Sequence, residues 1–178
     1  MTRHKIDYTE HFPQVMRILT RCGVLIGSYD AQGKPNLMTI GWGALGPVWD
    51  VPVWTILIRP SRYTFQCIEH SGGFTVNLPG PGMENACNLC GSRSGRTVDK
   101  FQACGLTAEK AGTVPAPAVA QSPLVYECQV VRSGKIEPGK TSEILSGADA
   151  EFVRIYFARI QAVTSAPDAA EALKRVCP

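Results

Sequence analysis

VPVWTILIRPSRYTFQCIEHSGG (51–73) changes character in its middle, and that change decides the fold. Residues 51–59 form a nearly continuous apolar run of strand length, as expected of a central strand buried on both faces. Pro60 and Ser61 stand where a helix should begin, Phe65, Ile68 and Glu69 keep a helical period, and Gly72 and Gly73 end it. At the junction Arg59, Ser61, Arg62, Tyr63 and Thr64 crowd hydroxyls and guanidinium groups around the start of that helix. First-turn N–H groups, hydroxyls and a guanidinium together make a site for a phosphate. The plainer alternative is a solvated turn with a Ser cap.

Working outward, the signal is mainly β. RCGVLIGSYD (21–30) reads as a strand, DAQGKPN (30–36) as a hairpin turn and NLMTIGWGA (36–44) as one return strand. GFTVNLP (73–79), PLVYECQVV (123–131) and EFVRIYFARIQAV (151–163) are further strands, with KIEPGKTSE (135–143) a polar loop between the last two. Short helices are expected over 11–19, over PGMENACNLCG (81–91), over TVDKFQACG (97–105) and over PDAAEALKR (167–175). Strands separated by short helices suggest one domain over 1–178, a closed or nearly closed antiparallel barrel with helical decorations. Long crossover helices do not alternate with the strands, which disfavours a doubly wound parallel sheet.

Composition narrows the function. The 178 residues are 44% hydrophobic and 19% charged, and the net charge of +3 falls short of the basic footprint of a nucleic-acid binder. The longest apolar stretch is far below the roughly 20 residues that span a bilayer, and the N-terminus lacks the apolar core of a secretory signal. No nucleic acid, no membrane and a cytoplasmic location are therefore expected. The seven cysteines would then be mostly free thiols. No G-x-G-x-x-G follows a strand, and neither a P-loop nor a nucleophile elbow occurs. A phosphate site outside both nucleotide folds points to a mononucleotide cofactor held in a barrel. NLMTIGW (36–42) adds an Asn, a hydroxyl, a Gly and a large aromatic on one strand.

CNLCGSRSG (87–95) is the loudest motif and offers three readings. A zinc site lacks its second pair, and His4, His11 and His70 lie upstream at no metal-binding spacing. A reactive thiol pair belongs at a helix N-terminus, whereas this one closes a helix opened by Pro81 and stopped by Gly91. Met83, Ala86, Cys87 and Cys90 fall on one helical stripe, so core packing is favoured, with a disulfide or a redox sensor still open.

GSYDAQGKPNLMTIGW, PVWTILIRPSRYTFQCIEHSGGFTVNLP and CGSRSGRTVDKFQACGLT together resemble the flavin reductase-like, FMN-binding split-barrel family, its flavoredoxin branch in particular. The resemblance runs in order over residues 20–131. It implies a split antiparallel β-barrel with short helices, a homodimer, and one FMN per subunit near the dimer interface. It also implies that Asn36, Met38, Thr39 and Trp42 lie along the flavin ring and ribityl chain, and that Arg59, Ser61, Arg62, Tyr63 and Thr64 cradle the phosphate. Asn77 would border the site, and Ser94, Gly95, Lys100 and Phe101 would close over it. No catalytic side chain and no metal are implied, because the chemistry is the flavin's.

The expected function is an FMN-dependent oxidoreductase passing reducing equivalents to flavin or another small acceptor, with NADH or NADPH as donor. The alternatives are an electron carrier of flavoredoxin type, which serves protein partners without NAD(P)H, and a split barrel that acts as a non-redox binding module. One departure bears on the donor. Reductases of this group often carry a His before the last long strand, and here SGADAEFVRIYFARI (146–160) has none but places Arg154, Tyr156 and Arg159 in the strand. The arginines would then suit a different donor or decorate the dimer surface.

Overall fold

The stretch 36–44, expected as one strand, breaks at Gly41 and Trp42, and the break organises the molecule. In the computed structural model, residues 2–137 and 152–177 are described. A two-residue β1 (His4–Lys5) precedes helix α1 (Phe12–Arg21), which leads into β2 (Val24–Tyr29) and its antiparallel partner β3 (Pro35–Ile40). Beyond the break, β4 (Gly43–Val48) forms a hairpin with β5 (Val51–Ile58). Its two turn residues, Trp49 and Asp50, have φ of 48° and 62°, the left-handed pair that suits a tight two-residue hairpin loop.

Helix α2 (Tyr63–Ser71) follows, then β6 (Gly73–Leu78), α3 (Glu84–Ser92) and α4 (Lys100–Ala103). A small ladder of β7 (Ala108–Lys110) with β8 (Pro117–Val119), two 13-residue strands β9 (Leu124–Ile136) and β10 (Val153–Ser165), and α5 (Ala169–Arg175) complete the chain. The main sheet runs β3-β2-β6-β9-β10-β5-β4, with β1 added beside β10. All of its pairings are antiparallel. Its outermost strands, β3 and β4, are neighbours in sequence. Joining them through Gly41 and Trp42 makes the sheet curl so that its two edges approach without pairing, and the result is a barrel split between β3 and β4.

Inside the barrel Trp54 and Tyr126 meet edge to face with centroids 5.7 Å apart, among Ile26, Ile56, Phe74 and Val76. Burial of each such side chain contributes about 1.5–3 kcal/mol. Strand β5 is buried at Val53, Trp54, Ile56 and Ile58 but half-exposed at Thr55 and Leu57. It is thus covered fully on one face and partly on the other, because its outer face carries no helix layer.

Several boundaries move for identifiable reasons. Helix α2 starts at Tyr63, two residues past Ser61, since Arg62 still has extended backbone. Helix α3 runs through Gly91 to Ser92, with Gly91 on the side that faces Thr39. Over 97–105 only the four residues of α4 are helical, begun by Asp99, whose carboxylate accepts from Gln102 N–H. Strand β9 continues through Lys135 and Ile136, and the polar loop from 138 on, like SGADA (146–150), lies outside the described residues.

Five cysteines are free, while Cys22 at the end of α1 and Cys177 beyond α5 form a disulfide with Cα atoms 6.4 Å apart. Arg17 reinforces that junction by donating to the Leu173 carbonyl at 2.7 Å and to those of Val176 and Cys177.

Candidate functional site

Where β5 leaves the barrel, α2 begins at Tyr63 with no side-chain cap from Arg62, and the positive end of the helix dipole lies there. Thr64 in that turn is buried, and its hydroxyl accepts from Asn36 Nδ2 at 2.9 Å. Asn36 lies on β3 and also donates to Ser28 Oγ at 3.4 Å, so the helix start is pinned to two strands. Tyr63 Oη donates to Asp30 Oδ2 at 2.9 Å, while Asp30 Oδ1 accepts from the N–H groups of Gln32 and Lys34. Burial pushes the Tyr63 phenol up to about 12, and the Asp30 carboxylate adds to the rise. For Asp30 itself burial works upward, but the hydrogen bonds from Lys34 N–H, Tyr63 Oη and Gln32 N–H outweigh it and hold the carboxyl below its ordinary value.

Residues 91–100 face this helix start. Arg96 donates to the Ser61 carbonyl at 3.0 Å and lays its guanidinium 5.2 Å from the Tyr63 ring centre. Gly95 lies so close to β3 that a Cβ would stand 2.1 Å from Asn36 Oδ1. Lys100 is 4% exposed, and its ammonium donates to the carbonyls of Leu37 at 2.7 Å and Cys90 at 2.8 Å. Burial lowers its pKa. Between the helix start and this segment lies a cavity of about 180 Å³, walled by Ser61, Arg62, Tyr63 and Thr64 on one side and by Ser94, Gly95, Arg96 and Lys100 on the other. Its wall holds four cationic side chains, with Arg93 the fourth, and no carboxylate. Charge and donor types make it a candidate anion site.

A second cavity of about 260 Å³ opens at the barrel split, between Met38, Thr39 and Trp42 on one side and Leu57 and Arg59 on the other. Met38, Arg62 and Gly91 line both cavities, so the two form one cleft. Trp42 is 43% exposed and stacks under Arg59, whose guanidinium carbon lies 5.3 Å from the ring centre. Thr39 Oγ1 donates to the Cys87 carbonyl at 2.6 Å, which ties β3 to α3.

The fold thus gathers Met38, Thr39, Trp42, Arg59, Ser61, Arg62, Tyr63, Thr64, Ser94, Gly95 and Lys100 around one cleft, with Asn36 behind its wall. Asn77 and Phe101 do not line it. Asn77 is buried in the sheet, donating to Leu25 O and Thr75 Oγ1 and accepting from Val119 N–H, so its polar atoms serve to seat β8. Phe101 packs in a small core with Leu25, Leu37, Met83 and Val119. Sequence reasoning passed over Asp30, Gly91, Arg93 and Arg96. The dense Arg spacing of GSRSGR was the available signal for the last two, while Asp30 reads locally as a turn residue.

Two residues of the departing strand have structural duties. Tyr156 is buried and donates to Glu69 Oε1 at 2.7 Å, and Arg154 pairs with Glu69 at 3.7 Å while lying over Phe65. Met83, Ala86, Cys87 and Cys90 all point inward, as their stripe predicts. Among the described residues no cluster of His, Cys, Asp or Glu could hold a metal ion. A larger cavity, about 620 Å³, lies elsewhere, between α3, α4 and α5. We assign the candidate site to the smaller cleft, because convergent donors and unopposed charge are found there.

Residues 16–173 match the model of the flavin reductase like domain. The chain belongs to the flavin reductase-like family. Among curated proteins, this family member is 33% identical to the uncharacterized protein YddH of Escherichia coli (strain K12) over 111 residues, 61% of this chain and 58% of that one. An uncharacterized Archaeoglobus fulgidus protein is 30% identical over 107 residues, 60% of this chain and 58% of that one. The matched region therefore spans less than two thirds of either relative. Among solved structures, the flavoredoxin of Desulfovibrio vulgaris (Miyazaki F) superposes with a TM-score of 0.68 at 25% identity, covering 82% of this chain and 70% of its own. The flavoredoxin of Methanosarcina acetivorans gives 0.66 at 26%, covering 83% and 70%. An FMN-binding domain of a flavin reductases-like enzyme from Shewanella baltica OS155 gives 0.64 at 18%, covering 92% and 77%, and speaks for the fold alone.

Proposed function

We propose that this protein binds FMN in the cleft and is an oxidoreductase, passing reducing equivalents through the flavin to free flavin or another small acceptor. The observation that carries the reading is the junction of two unlike cavities at Met38, Arg62 and Gly91. One is cationic and phosphate-sized, and the other is flanked by Trp42 and aliphatic side chains. The donor set fits FMN, because four cationic side chains and no carboxylate line the cavity that would take its phosphate.

In this reading Arg62, Lys100 and the first-turn N–H groups of α2 hold the phosphate, with Ser61, Thr64 and Ser94 beside them. Met38, Thr39, Trp42 and Arg59 flank the ring. Bound FMN supplies hydride or single-electron chemistry, and the protein supplies orientation, charge and control of solvent access. Arg96, held on Ser61 and Tyr63, keeps the 91–97 segment across the phosphate end and so limits water there. No side chain has to move a proton.

A second reading, an electron carrier of flavoredoxin type, is favoured by Arg154 and Tyr156, whose engagement with Glu69 ties them to α2 instead of leaving them to address a nicotinamide. For either reading we propose action in the cytoplasm as a homodimer. In it the groove of about 520 Å³ along Val48, Trp49, Val53, Val131 and Phe157 is covered by a second copy. Trp49 is 94% exposed and Val131 59%, an unusual display for an isolated subunit. Addition of FMN to the purified protein, followed by anaerobic NADH or NADPH, tests the proposal. Yellow colour with rapid bleaching supports the reductase, yellow without bleaching supports the carrier, and no bound flavin sinks both.

A further inference from the structure

The Cys-x-x-Cys spacing draws the eye to Cys87 and Cys90, yet the three-dimensional partner of Cys90 is Cys104. Cys90, on α3, is 1% exposed, and the thiol of Cys104, just past α4, lies near enough to interact with its own. Cys104 packs on the small core that contains Cys90, but it is only half-buried. Cys104 also lines the cavity of about 620 Å³ between α3, α4 and α5, a volume typical of small-molecule pockets. That wall also presents Asn85, Gln121, Glu171 and Arg175, polar groups of both charges suited to a zwitterionic guest. Cys90 meanwhile lines the cationic cavity on the other side. The thiol pair is therefore the partition between two cavities. Cys87 lines a third one, beside the Cys22–Cys177 disulfide.

We infer that Cys90 and Cys104 form a dithiol–disulfide site, oxidised by a low-molecular-weight disulfide of the glutathione type that enters through the cavity between α3, α4 and α5.

Cys104, the accessible member, attacks one sulfur of the incoming disulfide as its thiolate. A mixed disulfide forms, and one small thiolate departs and takes up the proton Cys104 gave away. Cys90 then attacks the Cys104 sulfur, the mixed disulfide breaks, and the second small thiolate leaves with the Cys90 proton. The protein dithiol is oxidised by two electrons to one disulfide, and the small disulfide is reduced to two thiols. The order of attack follows from access and charge. Burial pushes the Cys90 thiol up to about 12, and the neighbouring Lys100 ammonium only partly opposes the rise. Cys90 thus suits the resolving step and not the first attack. The product bond would tie α3 to α4 across the segment carrying Ser94 and Gly95.

The site does not depend on flavin binding, and its test needs none. The full chain is incubated with glutathione disulfide, free thiols are alkylated, and tryptic peptides are mapped without reduction. Cleavage after Arg93, Arg96 and Lys100 separates Cys90 from Cys104, so a link between them appears as two joined peptides. The expected result is that link as the main oxidised product. It should persist in Cys87→Ser, vanish in Cys104→Ser, and revert with dithiothreitol. A Cys104 that stays as a glutathione mixed disulfide, a link from Cys87 to either of the other thiols, or an unmodified Cys104 would each overturn the assignment.

Discussion

Asn36 Nδ2 donates to Thr64 Oγ1 at 2.9 Å, and this bond joins the strand beside the cavity at the barrel split to the first turn of the helix beside the cationic cavity. The two residues are 28 positions apart, and both are buried. Replacement of Thr64 by Val keeps the shape but leaves the Asn36 amide with only the long 3.4 Å contact to Ser28. The loss should be about 1 kcal/mol, a fall of a few degrees in melting temperature. FMN affinity should fall along with it, since the helix start is loosened. An unchanged melting temperature with unchanged affinity would show that the bond does not organise the cleft.

Arg62 lines both cavities and is the cation nearest the α2 start. Arg62→Ala should weaken FMN by about 1.5–3 kcal/mol, roughly ten- to a hundredfold, as expected for a charge-assisted contact. Riboflavin, which has no phosphate, should bind the variant and the parent alike. Fluorescence titration with both flavins checks this, and an equal loss for riboflavin would move the phosphate elsewhere.

Gly95 leaves no room for a side chain, given the 2.1 Å approach of its would-be Cβ to Asn36 Oδ1 and 2.9 Å to Tyr63 Cδ1. Gly95→Ala should push the 91–97 segment outward and cost about 1–3 kcal/mol through overpacking. FMN dissociation should quicken while the barrel stays folded. Stopped-flow release of FMN, with far-ultraviolet circular dichroism as the folding control, is the measurement.

Asp30 ties its own turn to Tyr63, and its carboxyl titrates below the ordinary value of 3.8. Because the folded value lies below the unfolded one, the unfolded chain binds the proton first as pH falls. The stabilisation from Asp30 is complete above about pH 4 and is lost as pH drops through the folded value. Asp30→Asn should flatten that acid limb of the stability profile in denaturant unfolding. A limb as steep as the parent's would assign it to other carboxylates.

Trp49 sits at the tip of the β4–β5 hairpin over an apolar groove, and an unpaired subunit would leave it in water. Trp49→Glu should shift the protein from dimer to monomer in sedimentation velocity without lowering the melting temperature of the monomer. A parent protein that sediments as a monomer would reject the dimer outright.

Much of this was legible in local sequence. The strand-to-helix change at 59–63, the Gly72 cap with φ of 69° and the inward stripe of α3 all follow from contacts within a few residues, where propensity and periodicity act directly. The crowding of Arg59, Ser61 and Arg62 likewise drew attention to this helix start without any tertiary information. What only the tertiary structure decided are pairings between distant residues. The break at Gly41 and Trp42 is invisible to strand propensity, because it depends on β3 and β4 closing opposite edges of one sheet. Asn77 looks like a site residue until Val119 arrives from 42 positions away to take its oxygen. The Cys-x-x-Cys pair was a sound reading of a helix stripe, yet the spacing could not show that Cys90 faces Cys104. A sequence lists spacings along the chain, and closure of the barrel sets which of those spacings become contacts.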